Sequence, residues 1–136
     1  MTNKLFAIAA LSLIASVASA DHPHGLTARD SAGVWTGLSS GTFQGQPYAS
    51  LTTVTISHDG QTAIAQDDST IGPLTGSCVS TGFSSEGIAG AHCIMTAGVA
   101  VGAEYDVHFV LTQYQDHIKL WISNPAMFIT SDLTHP

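Results

Sequence analysis

Basic residues are scarce in this chain. Its 136 residues include three Lys and Arg against ten Asp and Glu, a formal net charge of −7 with neutral histidines. One of the three, Lys4, lies in a segment that we expect to be removed, which leaves Arg29 and Lys119. So few cations cannot neutralise a row of phosphates, so nucleic acid is excluded as a partner and anionic lipid is a poor one.

Long hydrophobic runs are also lacking, with one short exception at the start. Lys4 is followed by the apolar run Leu5–Val17 and then by Ala18-Ser19-Ala20, a small-x-small cleavage site. The run is shorter than the roughly 18 to 20 residues that cross a bilayer. Residues 1–20 are therefore predicted to be a signal peptide cleaved after Ala20, which makes the protein secreted or periplasmic with no membrane anchor.

Cysteine occurs only twice. Because an exported chain enters an oxidising compartment, we expect Cys78 and Cys93 to form a disulfide within one chain. A hairpin that turns at residues 84–87, with Phe83 opposite Ile88, places the two cysteines opposite each other.

Helical periodicity is missing as well. From Val34 onward the chain is rich in alternating Thr, Ser, Gly, Val and Ile, and no long window repeats apolar residues at helical spacing. The chain beyond the signal peptide has the size of one small domain. We expect a flexible segment over 21–30 and a single all-β domain over 31–136, an up-and-down antiparallel barrel in the first place and a β-sandwich in the second.

Two further hairpins can be placed in register. Asp59-Gly60 is a type I′ turn pair, which sets Ile56 opposite Ala63. The other hairpin turns at residues 114–117 and pairs Gln113 with Ile118. Its alternation assigns one set of side chains to a buried face: Val107, Phe109, Leu111, Leu120 and Ile122.

The opposite face of this hairpin is a candidate binding surface. In the predicted register Trp121 stands opposite Val110, on what should be the polar side of the sheet. Aromatic side chains beside other apolar groups anchor protein contacts. The competing interpretation is that residues 126–129 fold back and cover Trp121. The candidate surface consists of Trp121, Val110, Tyr114, His108 and Asp106.

The stretch Gly33-Val34-Trp35 resembles the Gly-x-Trp that opens the first strand of lipocalins and of the wider calycin group, avidin-like barrels included. Extended to Gly37, it is similar to the opening of nitrobindin-type barrels. The resemblance implies a barrel in which Trp35 packs across the closed end as a core residue. No biotin-binding residue is carried over. The axial histidine that a nitrobindin-like haem needs is matched only by His135, a poor candidate close to the end of the chain.

Two groupings suit metal ions. His22 and His24 follow the expected mature N-terminus, where a free amine and an imidazole chelate Cu(II) or Ni(II) weakly. Asp67-Asp68-Ser69-Thr70 is an oxygen-rich run that suits part of a Ca²⁺ site. The competing interpretations are a loose polar terminus and an ordinary loop.

Two histidines, His108 and His92, lie in predicted strands, and each has a candidate role. Asp106 and His108 point the same way, as a carboxylate that orients a general base would, or else they form a surface ion pair. His92 is predicted to be a hydrogen-bonded histidine of the core.

Taken together, these features predict a binding protein rather than an enzyme. The ligand is a small apolar molecule in the barrel or a protein partner on a sheet face, and self-association stays open. No cofactor is predicted apart from the weak Cu or Ni site. An exported hydrolytic enzyme and a structural envelope protein or secreted effector are the alternatives, although no nucleophile-base pair can be identified. A cavity of about 300 Å³ or more inside the barrel would favour binding of a small ligand. A filled interior would favour binding of a protein partner on the outer face of the sheet.

Overall fold

Eight antiparallel strands and one short 3₁₀ segment form the part of the chain that the computed structural model describes, residues 25–112 and 114–136. The 3₁₀ segment is Ala28–Ser31. The strands are β1 (Gly33–Phe43), β2 (Gln46–Ile56), β3 (Thr62–Ser69), β4 (Gly72–Phe83), β5 (Ile88–Ala97), β6 (Glu104–Leu111), β7 (Ile118–Asn124) and β8 (Met127–Thr134).

The strands close into a barrel in chain order. All neighbours are antiparallel, and the last strand pairs with the first, so that Ser39 of β1 lies beside Ser131 of β8. Closure leaves no unpaired sheet edge. The predicted up-and-down barrel is confirmed, and the β-sandwich is not formed.

Side chains alternate between the interior and the solvent along the strands, and the interior ones form two buried clusters. The cluster at the end where β1 begins contains Leu26, Trp35, Val54, Ile56, Leu111, Ile118 and Leu133. The cluster toward the other end contains Phe43, Tyr48, Leu74, Cys78, Cys93, Met95, Tyr105, Val107, Met127 and Ile129.

Trp35 closes one end of the barrel. Its side chain is 0% exposed, and its Nε1 donates a hydrogen bond to the Ser31 carbonyl at 2.8 Å. The ring of His135 lies against it with ring centroids 3.8 Å apart, and His135 Nδ1 donates to the Val34 carbonyl. Trp35 is thus a core residue, as predicted, and His135 packs on it.

The chain is already packed against the barrel before β1 begins. Leu26 is buried, and its N–H donates to the Ser85 carbonyl at 2.8 Å. Asp30 accepts a hydrogen bond from the Thr27 N–H at 2.7 Å and so fixes the start of the 3₁₀ segment. From Leu26 onward the segment expected to be flexible makes these contacts. The expected signal peptide and residues 21–24 lie outside the described residues.

The hairpin between β2 and β3 has the predicted register with a different turn. Ile56 pairs with Ala63, as expected. A type I′ turn needs positive φ at both central residues, whereas here Gly60 has a φ of 75° and Asp59 is not in that region. Instead, the Ser57 hydroxyl donates a hydrogen bond to Asp59 Oδ1 at 2.7 Å, and the Gly60 N–H donates to the Ser57 carbonyl.

The hairpin between β6 and β7 is displaced by two residues from its prediction. Leu111 pairs with Ile118, so the predicted pairing of Gln113 with Ile118 is wrong. The loop between β6 and β7 is longer than the predicted turn. Thr112 closes this loop, because its N–H donates a hydrogen bond to the His117 carbonyl at 3.1 Å. A shift of two keeps every side chain on its face. The predicted buried face therefore lies inside the barrel: Val107, Phe109, Leu111, Leu120 and Ile122.

The disulfide between Cys78 and Cys93 is formed, and the two residues pair directly across β4 and β5. A bulge near the turn shifts the remaining pairs, so that Phe83 pairs with Ala89 and not with Ile88. Both cysteines point into the barrel, where they join the buried cluster.

Candidate functional site

A cavity of about 90 Å³ lies inside the barrel, and its wall draws on both buried clusters. It exists because Ser39, Ala65, Ala91 and Ser131 are small, and the interior of an eight-stranded barrel is just wide enough for side chains to fill. The apolar wall consists of Val54, Ile56, Ala63, Val107, Phe109, Ile118, Leu120, Ile122, Ile129 and Leu133.

Asp67 of β3 brings a carboxylate to the cavity wall, beside Thr52 of β2. Its Oδ2 accepts a hydrogen bond from the Tyr48 hydroxyl at 2.6 Å. Its Oδ1 is buried, and none of the described residues donates a hydrogen bond to it. Buried oxygen atoms are nearly always hydrogen-bonded in native proteins. The Oδ1 atom therefore needs a donor that this part of the chain does not supply.

Two tyrosines stand close to this carboxylate. Burial raises the pKa of Tyr48 far above its usual range, and the hydrogen bond to Asp67 raises it further. Burial also raises the pKa of Tyr105 to about 12, and the negative charge of Asp67 adds to that effect. Both phenols therefore keep their protons at physiological pH, which makes the Tyr48 hydroxyl a neutral donor to Asp67.

Three hydroxyls form a chain along the same part of the wall. The Ser39 hydroxyl lies 2.5 Å from that of Thr52 and 2.5 Å from that of Ser131. A hydroxyl has one donor and two acceptor lone pairs. These three hydroxyl oxygens therefore keep free lone pairs that can accept further hydrogen bonds. The cavity thus has an apolar wall and one polar side.

The interior position of Asp67 was missed from the sequence, where Asp67-Asp68-Ser69-Thr70 was interpreted as an oxygen-rich loop. In the structure β3 runs through this stretch to Ser69, so that Asp67 faces the cavity and Asp68 the solvent. The loop interpretation is wrong because β3 continues to Ser69, and alternation separates the two carboxylates that the alternative Ca²⁺ site needs. Extending the period of two from Ala63 and Ala65 places Asp67 inside.

The residues of the predicted binding surface are spread along the outside of the barrel. Trp121 pairs with His108 rather than with Val110, and the two rings stack with centroids 5.7 Å apart. Val110 pairs with Lys119, and Tyr114 lies exposed in the loop before β7. The pairing of Trp121 with Val110 was wrong because the longer loop moves the register by two.

A groove of about 580 Å³ runs along the outside of the barrel beside Trp121. Leu38 and Phe128 line it and are 74% and 55% exposed. Residues 126–129 do not fold over Trp121, because β8 lies beside β7 in the sheet and pairs Thr130 with Trp121. Trp121 is therefore half-buried at the edge of an apolar surface.

The imidazole of His92 bridges two carboxylates on the outer face. Its Nδ1 lies 2.8 Å from Asp106 Oδ1 and its Nε2 lies 2.8 Å from Glu104 Oε1. The hydrogen bond to Asp106, followed by that to Glu104, raises the pKa of His92. The predicted core position of His92 is wrong, because the face that carries the cysteines turns inward. Asp106 engages His92 while His108 stacks on Trp121, so this arrangement does not orient His108 as a base.

Metal-binding groups are not clustered in the described part of the chain. Within residues 25–112 and 114–136 no three or more His, Cys, Asp or Glu side chains are arranged to hold an ion. His22 and His24, the predicted Cu or Ni ligands, lie outside these residues. Over the same ranges, no helix has the length and apolar character needed to cross a membrane.

Comparison with known proteins identifies no family. The sequence matches no protein-family model, and no curated protein matches it significantly. Function must therefore be argued from the geometry of the cavity and of the outer groove.

Proposed function

We propose that this protein is an exported, calycin-like binding protein that holds a small, largely apolar ligand in the barrel cavity. The observation that carries the proposal is the cavity itself, which has an apolar wall and one side with converging polar groups. Binding pockets for small molecules have this character. The Gly33-Val34-Trp35 opening and the closed barrel agree with a calycin-like origin.

Keeping such a cavity costs stability. At about 24 cal/mol per Å³, a cavity of about 90 Å³ corresponds to roughly 2 kcal/mol. A buried oxygen without a donor costs about 1–3 kcal/mol more. Both are large beside the roughly 5–15 kcal/mol that stabilises a typical domain. Larger side chains at Ala65 or Ala91 would recover part of this cost, and a bound ligand explains why the space is kept.

The cavity limits the size of the ligand. Its volume of about 90 Å³ is smaller than the roughly 150 Å³ of an apolar cavity that binds benzene. The cavity does not reach the size of about 300 Å³ that favours a small ligand of ordinary dimensions, so drug-sized molecules are excluded from it. The ligand, or the part of it that enters the barrel, therefore has only a few non-hydrogen atoms.

Filling the cavity should abolish binding. Xenon enters apolar cavities, and we expect ¹²⁹Xe NMR to detect saturable binding to the wild-type protein. Ala65→Leu should remove this binding, because Ala65 lines the cavity. Gln66→Leu is the matched control, since it adds the same side chain on the outer face of β3.

Xenon binding that is absent from the wild type, or unchanged in Ala65→Leu, would contradict the proposal. Denaturant melts establish that each variant is folded. Ala91→Val, on the β5 part of the wall, is a smaller filling change if Ala65→Leu disrupts packing.

The outer groove supports a second candidate function, the binding of a protein partner. Leu38 and Phe128 place exposed apolar groups beside the half-buried Trp121 there, and such patches mark interaction surfaces. Trp121→Ala should leave the protein folded while abolishing capture of the partner from host extract. Tyr114→Ala removes an exposed aromatic outside the groove and should leave capture intact. Equal capture by all three proteins would rule this candidate out.

A further inference from the structure

The carboxylate of Asp67 is the unusual group in this barrel. Its two oxygen atoms have different surroundings, since Oδ2 accepts the Tyr48 hydroxyl at 2.6 Å and Oδ1 is buried without a donor among the described residues. Burying an ionised carboxylate is costly unless it is paired and hydrogen-bonded. A single neutral phenol satisfies one oxygen and leaves the charge uncompensated.

The described part of the chain supplies no cation to this carboxylate. Its lysine and arginine side chains are Arg29 and Lys119. Lys119 is on the outer face, where its Nζ lies 3.0 Å from Asp132. Arg29 belongs to the 3₁₀ segment at the Trp35 end and acts electrostatically on Asp59 in the turn after β2. Neither lines the cavity.

We infer that the ligand of the cavity is a small primary amine, bound as its ammonium ion to Oδ1 of Asp67. This inference rests on the proposed function and names the ligand class. An ammonium group compensates the charge and supplies the missing donor to Oδ1. Its remaining N–H groups find acceptors among the hydroxyl oxygens of Ser39 and Thr52, which keep spare lone pairs.

The rest of the site suits a short aliphatic body on that amine. Val54, Val107 and Ile129 belong to the wall and offer apolar contact to a few carbon atoms. The net charge of −7 also favours the approach of a cation. A neutral alcohol fits the same space and donates one hydrogen bond, but it leaves the carboxylate charge unpaired. Charge-assisted hydrogen bonds are roughly twice as strong as neutral ones.

The test compares isosteric probes. Propylammonium chloride and 1-propanol are titrated at pH 7 into the ¹⁵N-labelled protein, and chemical shifts of the cavity residues report binding. We expect the amine to bind the wild type about tenfold or more tightly than the alcohol. Asp67→Asn keeps an oxygen acceptor for Tyr48 and removes the charge, so it should abolish this preference. Asp68→Asn makes the same charge change on the outer face and should retain it.

Equal affinity of the wild type for amine and alcohol would overturn the inference without any variant. An amine preference that survives in Asp67→Asn, or that is lost equally in Asp68→Asn, would also overturn it, because the site would then not reside in Asp67. If the wild type takes up xenon but neither probe, the ligand class is wrong while the cavity proposal stands. If it takes up none of the three, both proposals fail.

Discussion

Replacing Trp35 with alanine is expected to lower the free energy of unfolding by about 3–5 kcal/mol. The side chain is 0% exposed and belongs to the buried cluster that closes one end of the barrel. Its removal leaves a large void, deprives the Ser31 carbonyl of its donor and exposes the face on which His135 packs. Urea unfolding followed by circular dichroism measures the change.

The second tryptophan of the chain is the natural control. Trp121 is half-buried on the outer face and stacks on His108, so Trp121→Ala should cost clearly less than Trp35→Ala, about 1–2 kcal/mol. Trp35→Phe should fall between the two, because it keeps most of the packing and loses the hydrogen bond to Ser31. If Trp35→Ala and Trp121→Ala lowered the free energy of unfolding by similar amounts, Trp35 would not be the residue that stabilises the closed end of the barrel.

Removing the disulfide is expected to cost about 3 kcal/mol. Cys78 and Cys93 are 15 residues apart, and the bond restricts the unfolded chain by closing that loop. The variant Cys78→Ala/Cys93→Ala tests this in the same unfolding assay. Wild-type protein in reductant should approach the stability of the double variant. A loss below about 1 kcal/mol in both would contradict the assigned contribution.

The architecture was predictable because several independent signals agree. The cysteine positions predicted the pairing of Cys78 with Cys93, and that pairing is observed, whereas the pairing of Phe83 with Ile88 predicted from the loop is shifted by a bulge. The buried face of β6 and β7 was predicted correctly although the register was not. A shift of two residues preserves the side-chain alternation. The assignment of side chains to the inner and outer faces of β6 and β7 is therefore correct even though the register is not.

The predictions that were wrong, the register of β6 and β7 and the face of His92, depend on contacts that cannot be inferred from the local sequence pattern. The loop before β7 is lengthened by the hydrogen bonds of Thr112, including one from its hydroxyl to Asp116 at 2.6 Å. That displacement decides which residue stands beside Trp121. The face of His92 was inverted because Ala89 and Ala91, together with the cysteines, fill the narrow interior, while Ile88 lies outside.

The candidate site was the least predictable part. Two consecutive acidic residues followed by Ser and Thr are typical of a loop, and nothing local indicates that Asp67 points into a closed barrel. The relevance of Asp67 comes from β1, β2 and β8, which bring Ser39, Thr52 and Ser131 to the same cavity. Such convergence of distant strands follows from barrel closure and is visible only in three dimensions.

The claim that the cavity is a ligand site is tested most directly by a high-resolution crystal structure of the protein purified from its own host in amine-free buffer. We expect continuous density for a molecule of a few atoms, in contact with the apolar wall and within hydrogen-bond distance of Asp67 Oδ1. Isolated water peaks in the cavity, or side chains that have closed it, would contradict the proposed ligand site.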